Sequence, residues 1–100
     1  MEKVVLFISF KLKKDSNIEE FLIASKKLND EYMSKQKGYI SWQQLNEGDN
    51  WVDMLTFETM EDAKAIEANP NPCELALKFY SYINLPSCIT RYYQVKANYN

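Results

Sequence analysis

The chain has no histidine and only two cysteines, two glycines and three prolines among its 100 residues. Without histidine, neither a Ser-His-Asp triad nor an ordinary zinc site can be built. Cys73 and Cys88 do not have the C-x-x-C spacing of a redox or metal motif, so we interpret them as buried or idle thiols. A glycine-rich phosphate loop is also missing. The sequence therefore predicts no metal and no cofactor.

The chain also has no large excess of positive or negative charge. Twelve Lys and Arg residues stand against 14 Asp and Glu, which gives a formal net charge of −2 at pH 7. Nucleic-acid binding depends on basic residues that neutralise phosphates, so we expect no nucleic-acid partner. The apolar run VVLFISF at residues 4–10 is far shorter than the roughly 20 residues that span a bilayer. It lacks the basic segment and cleavage site of a signal peptide, and we expect a cytoplasmic protein without membrane contact.

The composition is that of one folded domain. Hydrophobic residues make up 46% of the chain and charged residues 26%, which is typical of a globular protein. A chain of this length cannot hold two separate cores, because each half would bury too little apolar surface. We expect a single domain over residues 1–95 and a C-terminal tail over residues 96–100.

Four runs of residues have strand patterns. In residues 4–12 the even-numbered positions are all apolar and the odd-numbered positions are mixed, which predicts a strand with two different faces. Residues 39–45 and 51–57 are rich in aromatic and branched side chains, and the polar segment 46–50 between them is typical of a hairpin loop. Residues 88–95 form the last predicted strand.

Helices are predicted between these strands. Ser16 and Glu19 make a capping box for a first helix that ends before Gly38, a residue suited to a left-handed turn. Thr59 begins a second helix, which the Asn-Pro-Asn-Pro run at residues 69–72 must interrupt. Asn71 is the predicted cap of a third helix. The apolar positions assigned to this third helix are Leu75, Ala76, Phe79, Tyr80 and Ile83.

The resulting order β-α-β-β-α-β is the ferredoxin-like arrangement of the α+β class, a four-stranded antiparallel sheet with helices on one face. The strands nevertheless carry large apolar residues on both faces. For example, Val5 and Phe7 alternate with Leu6 and Ile8. An uncovered apolar face is seldom tolerated in a monomer. We therefore expect a homodimer in which two sheets pack face to face around a twofold axis and can enclose a cavity.

Three segments follow the layout of one family. They are the first helix ending in KGYI at residues 37–40, the hairpin, and the run LTFETMEDA at residues 55–63, where an aromatic and a glutamate close a strand before an acid-rich helix start. With these the chain resembles the dimeric α+β barrel superfamily, in its antibiotic-biosynthesis-monooxygenase-like group. The resemblance implies a cofactor-independent oxygenase that acts on a small phenolic or quinol-like aromatic molecule. The family's haem-degrading branch is excluded, because its first-strand Asn and its later Trp and His are missing.

Asp53 is the first candidate catalytic residue. A carboxylate in the middle of an apolar strand is solvated, paired or functional. If it faces a cavity lined by Trp51 and Leu55, desolvation raises its pKa and suits it to remove a proton from a phenol. The alternative is that Asp53 lies at a sheet edge and meets water or Lys11.

Arg91 and Tyr93 form a second candidate catalytic pair, on one face of the last strand, with Tyr92 on the other. A guanidinium among phenols can stabilise a phenolate, and Tyr93 is a second possible base. The alternative is that Arg91 stacks on tyrosine rings at the dimer rim. Phe7 and Ser9 are predicted to line the same cavity as ligand-binding residues.

The two tryptophans, Trp42 and Trp51, lie on either side of the hairpin loop. If the hairpin pairs odd residues with odd, the indoles point to opposite faces of the sheet. A bulge or a shift of one residue brings them to the same face. We predict that both bind ligand together with Leu55, with simple packing as the alternative. If side chains fill the cavity completely, the function is instead that of a non-catalytic binding or interaction module.

Overall fold

The computed structural model describes residues 2–69 and 71–100; Pro70, in the predicted helix interruption, lies outside them. The elements are β1 (Val4–Leu12), α1 (Ile18–Glu31), a 3-10 turn (Met33–Lys35), β2 (Tyr39–Glu47), β3 (Asn50–Phe57), α2 (Met60–Glu67), α3 (Glu74–Tyr80) and β4 (Ile83–Gln94). The strands form one antiparallel sheet in the order β2-β3-β1-β4. This is the predicted ferredoxin-like α+β arrangement. No helix in the described ranges is long and apolar enough to cross a membrane.

Helix α1 begins one residue later than the capping box predicted. Its N-cap is Asn17, whose Oδ1 accepts a hydrogen bond from the Glu20 amide at 3.0 Å. The Ser16 hydroxyl instead donates to the carbonyl of Tyr82 at 3.3 Å. The predicted pair of Ser16 and Glu19 is therefore wrong by one position. Asn caps helices as well as Ser does, and here a contact with Tyr82, just before β4, engages the serine.

Of the two caps predicted for the later helices, one is confirmed and one is wrong. Thr59 caps α2 as predicted, because its hydroxyl accepts from the Asp62 amide at 3.0 Å. The prediction that Asn71 caps α3 is wrong, since the helix begins after Cys73. The backbone N–H of Asn71 instead donates to the side-chain Oδ1 of Asn69 at 3.0 Å. This local Asx turn satisfies the backbone before the helix can start.

Strand β4 begins at Ile83, upstream of its predicted start, so Ile83 belongs to the strand and not to α3. The strand passes through Pro86 because the ladder to β1 is interrupted there by a register shift. The hydroxyl of Ser87 fills the interruption, accepting from the Lys11 amide at 2.8 Å and donating to the Asn84 carbonyl at 2.6 Å. A bulge of this kind is where a strand can accommodate a proline without losing a ladder bond.

The hydrophobic core lies between the helices and one face of the sheet. Phe21 of α1 is fully buried, stacks on Phe79 at a centroid distance of 5.4 Å and meets Trp51 edge to face at 5.3 Å. Full burial of such aromatic side chains supplies a large share of a small domain's stability. The buried core residues are Val4, Leu6, Phe10, Phe21, Leu28, Met33, Trp51, Leu55, Phe57, Ala63, Ala76, Phe79 and Ile83.

The opposite face of the sheet, which we call the open face, is not covered by any helix of the described chain. Its apolar members are half-buried or exposed, and Leu45, Ile89 and Tyr93 remain 48%, 54% and 51% exposed. The two-faced pattern predicted from the sequence is therefore present. By strand register the open face consists of Val5, Phe7, Ser9, Ser41, Gln43, Leu45, Val52, Met54, Thr56, Ile89, Arg91 and Tyr93.

Candidate functional site

The register of the β2–β3 hairpin places both tryptophans on the helix-covered face. The strands are joined by a two-residue turn, Gly48 and Asp49, and Gly48 has the positive φ of 58° expected at the first central position of a type II′ turn. This turn pairs even-numbered residues of β2 with odd-numbered residues of β3 over most of the hairpin. The sequence left two registers open, and the structure has the one in which Trp42 and Trp51 lie on the same face, because the connection is shorter than the predicted loop.

The two indoles have different surroundings. Trp51 is 6% exposed and packs between Phe10, at a centroid distance of 6.4 Å, and Phe21. It is a residue of the aromatic core. Trp42 is half-buried, meets Phe79 edge to face at 5.5 Å and lines a cavity. Of the two, Trp42 is the one that a ligand in this cavity can touch.

This cavity, of about 310 Å³, lies between the sheet and the helices of one subunit. Its position differs from that of the predicted cavity, which was between two sheets of a dimer. A mainly apolar lining with a few polar groups is typical of small-molecule sites. The apolar lining is Leu6, Ile8, Phe10, Leu28, Met33, Leu55, Ile66, Phe79, Ile83 and Leu85, and the other lining residues are Trp42, Asp53, Glu67, Tyr80, Cys88 and Thr90.

Asp53 lies on the floor of this cavity, in the middle of β3. It is only 3% exposed, so the alternative that it meets water or Lys11 at a sheet edge is wrong. Burial raises the pKa of Asp53 from 3.8 to about 7, while the nearby side chains of Trp42 and Gln44 favour the charged form and lower it. Desolvation is the larger effect, as expected for a carboxyl group in an apolar cavity.

Two buried polar atoms of the site have no hydrogen-bond partner among the described residues: Oδ1 of Asp53 and Nε1 of Trp42. The neighbouring Gln44, by contrast, is fixed. Its Nε2 donates to the buried Ser25 hydroxyl at 3.1 Å, and that hydroxyl donates to the Phe21 carbonyl at 2.8 Å. The chain of hydrogen bonds runs from α1 to Gln44, the residue opposite Asp53 in the ladder. The Gln44 amide is thus positioned beside Asp53.

Three further ionisable groups, those of Glu67, Tyr80 and Cys88, line the cavity. Partial burial raises the pKa of Glu67 at the end of α2. The pKa values of Tyr80 and Cys88 are also raised, mainly by desolvation and then by the charge of Glu67. Cys73 and Cys88 are both free thiols, and a raised pKa keeps Cys88 protonated and unreactive. No cluster of three or more metal-binding side chains occurs in residues 2–69 and 71–100.

Glu67 and Cys88 were not among the residues predicted to form a site. Glu67 is at the last position of α2, and a glutamate there looks like any residue of a solvated helix face. Its neighbour Ile66 also lines the cavity. In the sequence, the only indication that Glu67 lines a cavity is the apolar Ile66 beside it at the helix end, and this indication is weak.

The remaining predicted site residues lie on the open face. The β1–β4 ladder pairs Phe7 with Arg91, and it places Tyr93 and Ser9 on the same side. Arg91 and Tyr93 share one face, as predicted, but the sheet separates them from Asp53. The prediction of one cavity containing all of these residues is therefore corrected. Side chains alternate between the two faces along each strand, and the register of β1 and β4 places Phe7, Ser9, Arg91 and Tyr93 on the face opposite Asp53.

The chain matches no protein-family model and no curated protein. It does match solved structures. A variant of SnoaB, a cofactor-independent oxygenase from Streptomyces nogalater, superposes with a TM-score of 0.76 at 12% identity over 98% of this chain and 97% of that one. A candidate antibiotic biosynthesis monooxygenase from Bacillus cereus superposes with a TM-score of 0.66 at 17% identity, over 100% of this chain and 99% of that one. A dimeric ferredoxin-like protein of unknown function from Bacteroides fragilis superposes with a TM-score of 0.63 at 18% identity, over 93% of this chain and 96% of that one. The chain thus has the fold of the antibiotic-biosynthesis-monooxygenase-like proteins.

Proposed function

We propose that the protein is a cofactor-independent monooxygenase that acts on a small aromatic, quinol-like molecule in the cavity between sheet and helices. The observation that carries the proposal is Asp53, a carboxyl group buried in an apolar cavity with a pKa of about 7. A general base is most effective when its pKa lies near the working pH. The fold supports the reaction class, because SnoaB is itself a cofactor-independent oxygenase.

The chemistry begins with proton transfer. Ionised Asp53 takes the proton of a phenolic hydroxyl, and the negative charge passes from the carboxylate to the substrate, which becomes an electron-rich aromatic anion. That anion supplies the electrons that reduce O₂. One oxygen atom of O₂ forms a new C–O bond at a ring carbon, which loses its hydrogen, and the O–O bond breaks. The second oxygen atom leaves as water with that hydrogen and the phenolic one, so the net change is phenol + O₂ → quinone + H₂O. The protein contributes the base, the orientation of the ring and the exclusion of water.

The neighbours of Asp53 keep it usable as a base. Desolvation raises the pKa of Asp53, whereas Trp42 and Gln44 lower it by stabilising the charged form. Gln44 can do so reliably because its amide is fixed by the buried Ser25. The balance leaves a substantial ionised fraction at neutral pH.

We also propose that a second copy of the chain covers the open face. Exposed Leu45, Ile89 and Tyr93 give this face the apolar character of a dimer surface. Phe7 contributes further, as its ring meets Tyr93 edge to face at 5.9 Å. One structure of the same fold is described as dimeric. In this arrangement Arg91 and Tyr93 belong to the interface, and each subunit keeps its own cavity.

Oxygen consumption with a panel of small quinols and phenols tests the proposed reaction. Asp53→Asn should lower the rate at least tenfold, since general-base catalysis contributes about 10²–10⁴-fold. Asp49→Asn, the same change at an exposed position of the neighbouring turn, should leave the rate unchanged. An Asp53→Asn protein with the wild-type rate would contradict the role of Asp53. Binding of these molecules without any oxygen uptake would instead favour a non-catalytic binding module.

A further inference from the structure

A second cavity adjoins the one that contains Asp53. We call the first cavity the inner chamber and the second, of about 250 Å³, the outer chamber. The outer chamber lies among the helices, where the end of α1, the end of α2 and the start of α3 meet. The two chambers share the lining residues Leu28, Met33, Ile66, Glu67 and Tyr80. Because they share these walls, a molecule in the inner chamber can extend into the outer one.

The two chambers suit different parts of one molecule. The inner chamber is mainly apolar, and its volume of about 310 Å³ is roughly twice that of a ~150 Å³ apolar cavity that holds one benzene. The outer chamber is lined by more polar groups, including Tyr32 and Asn69. The Asn69 amide nitrogen donates to the Tyr32 hydroxyl at 3.4 Å. A ligand with one or two rings and a short polar extension therefore fits the pair of chambers.

Glu67 gives the outer chamber its charge. No Lys or Arg occurs among the residues that line either chamber. Glu67 is exposed and makes no ion pair within residues 2–69 and 71–100. Lys64, one turn earlier in α2, lies instead over the ring of Tyr92 at 5.7 Å from its centroid. The Glu67 carboxylate is thus solvated, accessible and free to pair with a cation that a ligand brings.

The ends of two helices add to this negative potential. Tyr32 is the C-cap of α1 and Glu67 is the last residue of α2, and both line the outer chamber. The free carbonyl groups at a helix C-terminus favour a positive charge nearby. The start of α3 also borders the chamber, but Glu74 in its first turn offsets the positive end of that helix. The local field therefore favours a cation.

Aromatic rings lie beside the carboxylate. Tyr80 is 41% exposed and lines both chambers. Burial and then the charge of Glu67 raise the pKa of Tyr80, as expected for a phenol near a carboxylate. The ring of Tyr32 lines the outer chamber as well. Aromatic rings attract cations over their faces, so an ammonium group near Glu67 gains from these rings too.

We propose that the outer chamber is a subsite for the ammonium group of an arylalkylamine, whose rings occupy the inner chamber. Glu67 pairs with the ammonium group, and Tyr32 and Tyr80 surround it. The inference rests on the proposed function for the position of the aromatic rings. It adds a charge preference and a second point of attachment, and it disfavours aromatic molecules whose side chain ends in a carboxylate.

Calorimetric binding of three ligands of similar size tests the inference near neutral pH without oxygen: 2-(2-naphthyl)ethylamine, 2-(2-naphthyl)ethanol and 2-naphthylacetate. Wild-type protein should bind the protonated amine about fivefold more tightly than the alcohol, since an exposed ion pair and a cation–π contact are each weak. The acetate should bind more weakly than the alcohol. High salt should reduce the preference for the amine, because it screens exposed charges.

Glu67→Gln should remove the preference and leave the affinity for the alcohol unchanged. Glu61→Gln is the matched control, because Glu61 is an exposed residue of the same helix that lines neither chamber. It should keep the preference.

Equal affinity of the wild-type protein for amine and alcohol would overturn the inference, as would binding of none of the three ligands. A preference for the amine that persists in Glu67→Gln would also overturn it. If Glu67→Gln fails to fold, the salt dependence of the wild-type preference decides. Oxygen uptake with neutral quinols but no amine preference contradicts this inference alone. Selective amine binding by a protein that oxidises no phenol contradicts the proposed reaction alone.

Discussion

Gln44 lies directly opposite Asp53 in the β2–β3 ladder, on the face of the sheet that the helices cover. Its amide nitrogen donates to the hydroxyl of Ser25, a buried residue of α1, at 3.1 Å. The carboxyl group is thus surrounded by the hairpin on one side and by the helical layer on the other. The candidate site is built within one subunit, and its polar geometry follows from the hairpin register.

The free energy of unfolding of the wild-type protein is expected to carry a component that falls between about pH 4 and pH 7. The pKa of Asp53 is 3.8 in the unfolded chain and about 7 in the folded protein. Within this window the folded state holds a proton that the unfolded state has lost, so rising pH favours unfolding. The loss approaches roughly 4 kcal/mol, at about 1.4 kcal/mol for each pKa unit. It is absent below the window and complete above it.

Urea unfolding at a series of pH values measures this component when wild type is compared with Asp53→Asn. The variant should lack the fall, and above neutral pH it should be the more stable protein, since it has no charge to bury. Asp49→Asn should follow the wild-type curve, because Asp49 is exposed. Parallel curves for wild type and Asp53→Asn would show that the carboxyl group is solvated.

Ser25→Ala tests the hydrogen-bond chain that holds Gln44. Loss of the buried hydroxyl should lower the free energy of unfolding by about 1 kcal/mol. It should also raise the pKa of Asp53, because a freed amide stabilises the carboxylate less. Ser34→Ala is a matched control, since Ser34 donates to a carbonyl four residues earlier in the same way but is exposed. A Ser25→Ala protein that behaves like Ser34→Ala would contradict the positioning role.

Phe21→Ala tests the aromatic core behind the cavity. The ring contacts Phe79 and Trp51 and is fully buried, so its removal should cost about 3–5 kcal/mol. Tyr99 is 91% exposed, and Tyr99→Ala should change stability by less than about 0.5 kcal/mol. Thermal and urea unfolding of both variants give the comparison. A small effect at Phe21 would mean that the core packs differently.

Gly38→Ala tests the turn that joins α1 to β2. Gly38 has a φ of 77°, and an added Cβ would come within 2.8 Å of the Asp62 Cβ. Gly48 has a similar φ of 58°, but no atom lies within 4 Å of an added Cβ. Gly48→Ala should therefore cost only the strain of a left-handed residue, about 1–2 kcal/mol. Gly38→Ala should cost clearly more, and equal unfolding free energies would contradict the close approach of α2 to this turn.

Ile89→Lys tests the proposed dimer. Ile89 lies on the open face and is 54% exposed in one subunit, so a charge there should disrupt sheet-to-sheet packing. Light scattering should show wild type at twice the chain mass of 11.8 kDa and the variant as a monomer. Ile23→Lys, at a 67% exposed position of α1, should remain dimeric. A monomeric wild-type protein would contradict the dimer but would leave the cavity in place.

Local sequence signals were sufficient for most of the fold. Strand β1 has the predicted bounds, because its alternation is continuous and no competing cap or turn interrupts it. Thr59 caps α2 as predicted, since no tertiary contact competes for its hydroxyl. Ser16 failed as a cap because it bonds to Tyr82, a residue distant in sequence. Contacts of that kind are not encoded in a local pattern.

The candidate site was less predictable, because it depends on the length of one turn. Asp53 was identified from the sequence as a carboxylate in an apolar strand. The residues of β2 that share its face were not, since a two-residue turn at Gly48 and Asp49 and a longer loop over residues 46–50 give opposite parities. A shift of one residue moves every side chain of a strand to the other face. The side of the sheet on which Trp42 lies relative to Trp51 was therefore left open by the sequence.

The most direct measurement is an NMR titration of the side-chain carboxyl carbon of Asp53, assigned by comparison with Asp53→Asn. A carboxyl group enclosed between the hairpin and the helices should titrate with a pKa of about 7, far above its ordinary value of 3.8. A midpoint close to 3.8 would place Asp53 in water and would contradict both the buried site and its role as a base.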